Sequence, residues 1–327
     1  MKQIPFHILT GVFTRALVWA LACSITLSAM ADTPEQTGTP EQADTPELLQ
    51  KLAAAARGTV YNICLIENGV SYTAEITPAQ RCHNGYSVAK LYTSAAIGIL
   101  EDRGLLSTDE KIYPLFAEEF PDGFDPKWKD VTIEHVLTHR IGFEHGFLDI
   151  DAEECTTWES DDFLSLVFSR PLEHAPGTHE AYSDAAFYLA SRIVTKKCGR
   201  LLEDFLRDEL LRPMGFAEYA FSRCPLGYTI GATGMYFSTE DTAKLGELFL
   251  NKGVYHGKRY LSEEYVNKSL ERLYVVRRFG EEGYRFTKSG MNGQLLYFNY
   301  KTRRVVMIHS FRGNISELEE VLRRYDK

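Results

Sequence analysis

The feature that most limits the fold is the placement of strand-forming text at the two ends of the ordered chain, with helical text between. Residues 58–76, GTVYNICLIENGVSYTAEI, hold two β-rich runs joined at Glu67-Asn68-Gly69, and Asn-Gly between apolar runs is a strong hairpin signal. Near the other end, YRFTKSG, QLLYFNY and RRVVMIHSF are three further runs, with turns at Met291-Asn292-Gly293 and Tyr300-Lys301-Thr302. From about 115 to 230 the text is mostly helical, broken at Pro171, Pro176-Gly177 and Pro213. One sheet must therefore be assembled from distant parts of the chain. The expected fold class is α/β (α+β): an antiparallel sheet flanked by helices, with an inserted all-helical lobe. A cleft between the two lobes is the default position for a site.

Order is expected from Leu48, because LLQKLAAAA is a helix former, and a closing helix over NISELEEVLRRYDK has Asn314 or Ser316 as its cap. The expected division is a sheet lobe over about 48–115 and 231–327 and a helical lobe over about 116–230, together a domain spanning 48–327. Residues 1–31 read as a signal peptide: Lys2 and Arg15, an apolar run from Ala16 to Ala31, and a small-x-small site at Ala29-Met30-Ala31. The run is short for a membrane span and is followed by acid, so export to the periplasm or the medium, without a stable span after cleavage, is expected. Residues 32–47, DTPEQTGTPEQADTPE, repeat Thr-Pro-Glu and read as a disordered linker.

Charge narrows the partners. The chain carries a net charge of −9, and removal of residues 1–31 takes two cations and no acids, leaving −11. Such a protein has no electrostatic reason to bind nucleic acid or an anionic membrane. A monomer is expected. Cys64, Cys82, Cys155, Cys198 and Cys224 remain after cleavage, an odd number. Cys64 and Cys82 flank the predicted hairpin and are the first pair to consider for a disulfide; five buried thiols are the alternative. C-x-x-C spacing is lacking, which argues against structural zinc. His135 and His139 lie four apart with His145 nearby, but without the Glu of a zinc-protease pattern, so neither a metal nor a cofactor is expected.

The chemistry centres on Ser87-Val88-Ala89-Lys90, at the start of a predicted helix over 87–103 that stops at Gly104. Three residues apart on a helix, the hydroxyl and the amine are neighbours, and the helix start adds free N–H groups beside the hydroxyl. A desolvated lysine near other cations can act as a base at neutral pH. Alone, S-x-x-K recurs by chance; its surroundings give it meaning.

The segment HNGYSVAKLYTSAAIGILEDRGLLSTDEKI resembles the nucleophile region of the β-lactamase-related serine hydrolases, the group of class C β-lactamases, D-Ala-D-Ala carboxypeptidases and related esterases. VTIEHVLTHRIGF, PLEHAPGTHEAYSDAAFYLASRIVTKKCGR, GATGMYFSTEDTAKLGELFLNKGVYHGKRYLS and TKSGMNGQLLYFNYKTRRVVMIHS resemble later segments of that group, in order, over about 55–310. The resemblance implies a serine β-lactamase/transpeptidase-like fold and an acyl-enzyme mechanism. It implies Ser87 as nucleophile and Lys90 and Tyr182 as acid/base groups, with the base left open between them. Lys288, Ser289 and Gly290 would line the opposite wall on an edge strand, Lys288 meeting a substrate carboxylate. The oxyanion hole would come from the N–H groups of Ser87 and Met291. Asp184 stands where the β-lactamases usually have Asn; it can hold Lys90 charged or repel anionic substrate, and in either case Asp184→Asn is expected to improve β-lactam acylation. The implied substrates are small molecules or peptidoglycan-derived amides bearing a carboxylate (a β-lactam or a D-Ala-D-Ala peptide). An esterase of the same group, or a non-catalytic penicillin- or wall-binding protein, is the alternative.

Overall fold

The computed structural model describes residues 45–327; the signal and most of the linker expected over 1–47 lie outside them. The chain enters through helix α1 (Glu47–Ala55) and makes the hairpin β1 (Thr59–Glu67) and β2 (Val70–Glu75). Asn68 and Gly69 both take positive φ, at 54° and 77°, so the two-residue connection twists with its strands. Three C-terminal strands, β4 (Arg285–Gly290), β5 (Gln294–Asn299) and β6 (Arg304–Phe311), follow a two-residue strand β3 (Arg277–Arg278). The sheet is antiparallel with the order β2-β1-β6-β5-β4-β3, so the N-terminal hairpin joins the C-terminal strands through β1 and β6.

Both faces of this sheet are covered, and the alternation of side chains assigns each strand residue to one of two cores. Leu295, Tyr297, Val306 and Ile308 pack with Leu48, Leu49, Leu52, Leu318 and Leu322 under α1 and the last helix, α5 (Ile315–Tyr325). Leu296, Phe298, Val305 and Met307 face the other way, toward α4 (Thr239–Leu250) and the larger core. Burial on both faces explains why QLLYFN and VVMI are continuous apolar runs. A bulge between Val60 and Asn62 puts Val60 and Ile63, three apart, in the same core. Close approach is visible at Gly246 in α4, where a Cβ would meet Val305 at 2.6 Å. On that side α2 (Ala89–Asp102) runs through the larger core against α3 (Asp184–Cys198).

Three expectations are corrected. All five cysteines among the described residues are free: Cys64 Sγ lies 3.3 Å from Ser71 Oγ and Cys82 Sγ lies against Glu218. The strand carrying Lys288 is second from the sheet edge; β3 is the edge, pairing Arg277 with Thr287 and leaving Lys288–Gly290 to run beyond it. Asn314 begins α5 without capping it. Its Oδ1 accepts from Arg57 N–H at 2.7 Å and its amide donates to Glu317 at 2.6 Å, so it ties the helix to the end of α1. No helix of the described residues is long and apolar enough to cross a membrane.

His309 on β6 gives the fold a pH limit. It is fully buried beside Thr239 and the ring of His83, and burial, then His83, pulls its pKa down to about 3. The folded state keeps the ring neutral while the unfolded chain protonates near 6.5. Stability contributed by this group is therefore complete above about 6.5 and is lost as pH falls from there toward 3. At roughly 1.4 kcal/mol per unit, about 2 kcal/mol should be gone at pH 5. Urea denaturation of wild type and His309→Gln at pH 7 and 5 checks this: the variant should lose less stability on acidification, and an unchanged difference would assign the effect elsewhere.

Candidate active site

Ser87 sits on a sharp entry into α2. Tyr86, immediately before it, takes φ 46°, a conformation costing a non-glycine residue on the order of 1 kcal/mol or more. The turn is held by Tyr86 N–H to Asn84 Oδ1 at 2.9 Å, Gly85 N–H to Met235 O at 2.9 Å and Val88 N–H to Gly85 O at 3.0 Å. Ser87 thereby occupies a single 3₁₀ turn ahead of the helix proper, and its hydroxyl looks out from the helix start.

Lys90 points back at that hydroxyl from complete burial. Its three ammonium protons have three acceptors: Ser87 Oγ at 2.9 Å, Asp184 Oδ1 at 2.6 Å and Ala232 O at 3.0 Å. Burial pulls the lysine pKa down, but Asp184 and Tyr182 more than offset it, and the net shift is upward. The ion pair with Asp184 favours the protonated form of Lys90.

Ser183 is extended at the entry to α3, between Tyr182 and the first helical residue, Asp184. Tyr182 and Asp184 turn toward Ser87 and Lys90; Ser183 turns away, donating to Phe147 O at 2.6 Å and accepting from Ala185 N–H at 3.2 Å as the helix cap. Tyr182 O–H donates to Ser87 Oγ at 2.7 Å, and Lys288 Nζ donates to the Tyr182 oxygen at 3.3 Å. The two ammonium nitrogens, of Lys90 and Lys288, lie 5.0 and 5.2 Å from the centre of the Tyr182 ring. Burial first, then repulsion from Lys90 and Arg277, holds the Lys288 pKa well below the ordinary lysine value. His139 packs on Tyr182 with ring centres 4.4 Å apart and accepts from Ser183 N–H at 3.2 Å through Nδ1. Burial first, then Lys90, Lys288 and Arg277, holds its pKa well below the ordinary histidine value. It positions the tyrosine; His135, far from a metal role, closes a capping box with Thr132.

Ser87 stands where two cavities meet. One, of about 480 Å³, is bordered by Tyr182, His139, Arg277, Lys288, Ser289 and Met291. The other, of about 250 Å³, is acidic, with Asp149, Asp151, Glu153 and Asp184. Burial, more than the neighbouring acids, pushes Asp151 up to about 6, and it accepts from Thr233 at 2.8 Å. All eight residues singled out from the sequence border these cavities or contact one another, except that Lys90 lies beneath them. Gly290 and Gly293 both sit in close contact with other parts of the protein. A Cβ on Gly290 would strike the Gly85 carbonyl, and one on Gly293 would strike Ser310 Oγ. The close approach at Gly290 sets the start of Met291 beside the Ser87 turn. Arg277 and the Asp149–Glu153 acids were missed: a two-residue edge strand and a coil give no periodic signal.

A family model described as Beta-lactamase matches residues 66–314. A lovastatin esterase of Penicillium rubens is 29% identical over 154 residues, covering 41% of this chain and 38% of that protein. An N-acetylmuramyl-L-alanine amidase of Bacillus subtilis is 27% identical over 149 residues, 43% of this chain and 34% of that protein. The match thus spans well under half the length of these relatives. Among solved structures, a penicillin-binding protein homolog from Caulobacter crescentus has the same fold, with a TM-score of 0.66 at 14% identity, covering 85% of this chain and 96% of that one.

Proposed function

The chain belongs to the Beta-lactamase family, and from that premise we propose a serine hydrolase that forms an acyl-enzyme on Ser87, acting on amides that bear a carboxylate. One observation carries the reading: the unbroken run of contacts Lys90–Ser87–Tyr182–Lys288. In the proposed reaction Lys288, whose pKa is held well below the ordinary lysine value, takes the proton of Tyr182 as Tyr182 takes that of Ser87. The Ser87 oxygen then attacks the carbonyl carbon of the substrate. The fixed Lys90 cation and the newly formed Lys288 cation stabilise the charge on the phenol oxygen as it develops. The backbone N–H groups of Ser87 and Met291 receive the carbonyl oxygen, Tyr182 gives its proton to the leaving group, and Lys288 hands its own back to Tyr182. Water reverses the sequence to release the acid.

Since Lys288 serves this relay, the cation for a substrate carboxylate is Arg277, which pairs with Glu180 at 2.8 Å and lines the same cavity as the exposed Ser289. The N-terminal signal supports export, and cleavage before Asp32 is expected on N-terminal sequencing. An esterase is the second reading, favoured by the similarity to a lovastatin esterase.

Kinetics on a carboxylated amide and a small neutral ester test the division of labour. Tyr182→Phe and Lys288→Ala should lower kcat/KM for both substrates by on the order of 10² or more, as for other acid–base groups. Arg277→Ala should cost the carboxylated substrate about tenfold, near 1.4 kcal/mol, and spare the ester. A Lys288→Ala enzyme that keeps its esterase activity would return the carboxylate contact to Lys288 and remove it from the relay.

A further inference from the structure

We propose that Glu144, His174 and His179 form a surface site for a divalent transition metal, Zn²⁺ by preference, that clasps together the two loops bordering Tyr182. Each of these residues offers one ligand atom, and the three atoms lie within 4.8 Å of one another. His174 and His179 are stacked, with ring centres 4.1 Å apart and planes 26° off parallel. His174 Nε2 contacts Glu144 Oε2 directly, and His179 Nε2 lies 3.2 Å from the Glu144 carbonyl oxygen. Two imidazoles and a carboxylate are the donor set of open zinc sites, with water completing the coordination.

The backbone holds the ligands in place before any metal arrives. His174 N–H donates to Gly142 O at 2.9 Å, Gly177 N–H to Arg140 O at 2.8 Å and Ala181 N–H to His139 O at 2.9 Å, so residues 139–147 and 174–183 run side by side. Gly142, at φ 123°, lies so close to this second loop that a Cβ would meet His174 O at 2.6 Å. At the far end a Cβ on Gly146 would strike the Tyr182 carbonyl. A metal at this point would cross-link a loop that borders the acidic cavity to the loop that delivers Tyr182. It lies outside the Ser87 chain of contacts and takes no part in bond making. The histidines that the sequence brings to mind for a metal, His135 and His139, are engaged elsewhere; the pair that comes together is separated in sequence from Glu144 by 30 and 35 residues.

Titration calorimetry of the EDTA-treated, re-dialysed full-length protein with ZnCl₂ alone tests the proposal. One saturable equivalent is expected. Co²⁺ in place of zinc should give the visible absorption of a protein-bound ion. His174→Ala and His179→Ala should each weaken binding by roughly tenfold or more, the scale on which even supporting contacts to a metal matter. Glu144→Gln, an exposed and nearly isosteric change, should do the same without any question of folding, while His145→Ala should bind as wild type does. No saturable binding, binding unaffected by Glu144→Gln and both histidine variants, or equal loss in His145→Ala would overturn the assignment.

Discussion

Ser87→Ala is expected to lower kcat by a factor on the order of 10⁶, the scale seen when a serine hydrolase loses its nucleophile. Lys90 and Tyr182 both donate to Ser87 Oγ, at 2.9 and 2.7 Å, and among the described residues no other oxygen in the cavity is held by a buried ammonium and a phenol at once. The loss should not add to that of Tyr182→Phe, because groups that act on one oxygen as a unit give nearly the same deficit singly and together. Steady-state kinetics of the two single variants and the double variant check this. A residual rate within tenfold of wild type in Ser87→Ala would require another nucleophile. Activity in EDTA should be retained, since Glu144, His174 and His179 lie outside the Ser87 chain of contacts.

Asp184→Asn carries the second large effect, and its direction is opposite to the sequence-based expectation that it would improve acylation. Lys90 is fully buried and Asp184 nearly so, and they form an ion pair at 2.6 Å. Removing one charge of a buried pair strands the other, at a cost of about 3–5 kcal/mol. The enzyme can avoid part of that cost only by releasing the Lys90 proton, and then the fixed cation beside Ser87 and Tyr182 is gone. Urea denaturation should therefore report a loss of several kcal/mol, and kcat should fall with it. Full stability with faster β-lactam acylation would mean that Lys90 works as a neutral base.

Much of this site was legible because its signals are local. Asn68-Gly69 supplies the two positive φ values its turn needs, the strand runs carry their own alternation, and Ser87 and Lys90 are one turn apart on a single helix. What the sequence could not state depends on contacts between distant segments. The charge on Lys90 is set by Asp184, 94 positions away, and the low pKa of Lys288 by burial together with Lys90 and Arg277. The contact of Gly290 with the Gly85 carbonyl likewise has no sequence signal. Tyr86 gives no composition signal for its left-handed backbone, since tyrosine has no preference for it. The Cys64–Cys82 pairing was argued from proximity to a hairpin, but the chain leaves β2 and carries Cys82 to Glu218.

Intact mass followed by peptide mapping tests the central claim most directly. The wild-type enzyme would be incubated with a panel of penicillins, a p-nitrophenyl ester and a fluorophosphonate. The account predicts one covalent equivalent on the peptide bearing Ser87, with at least one substrate class acylating it and the fluorophosphonate labelling it, and no adduct in Ser87→Ala. An adduct on any other residue, or a folded enzyme that turns over substrate yet is never labelled at Ser87, would contradict it.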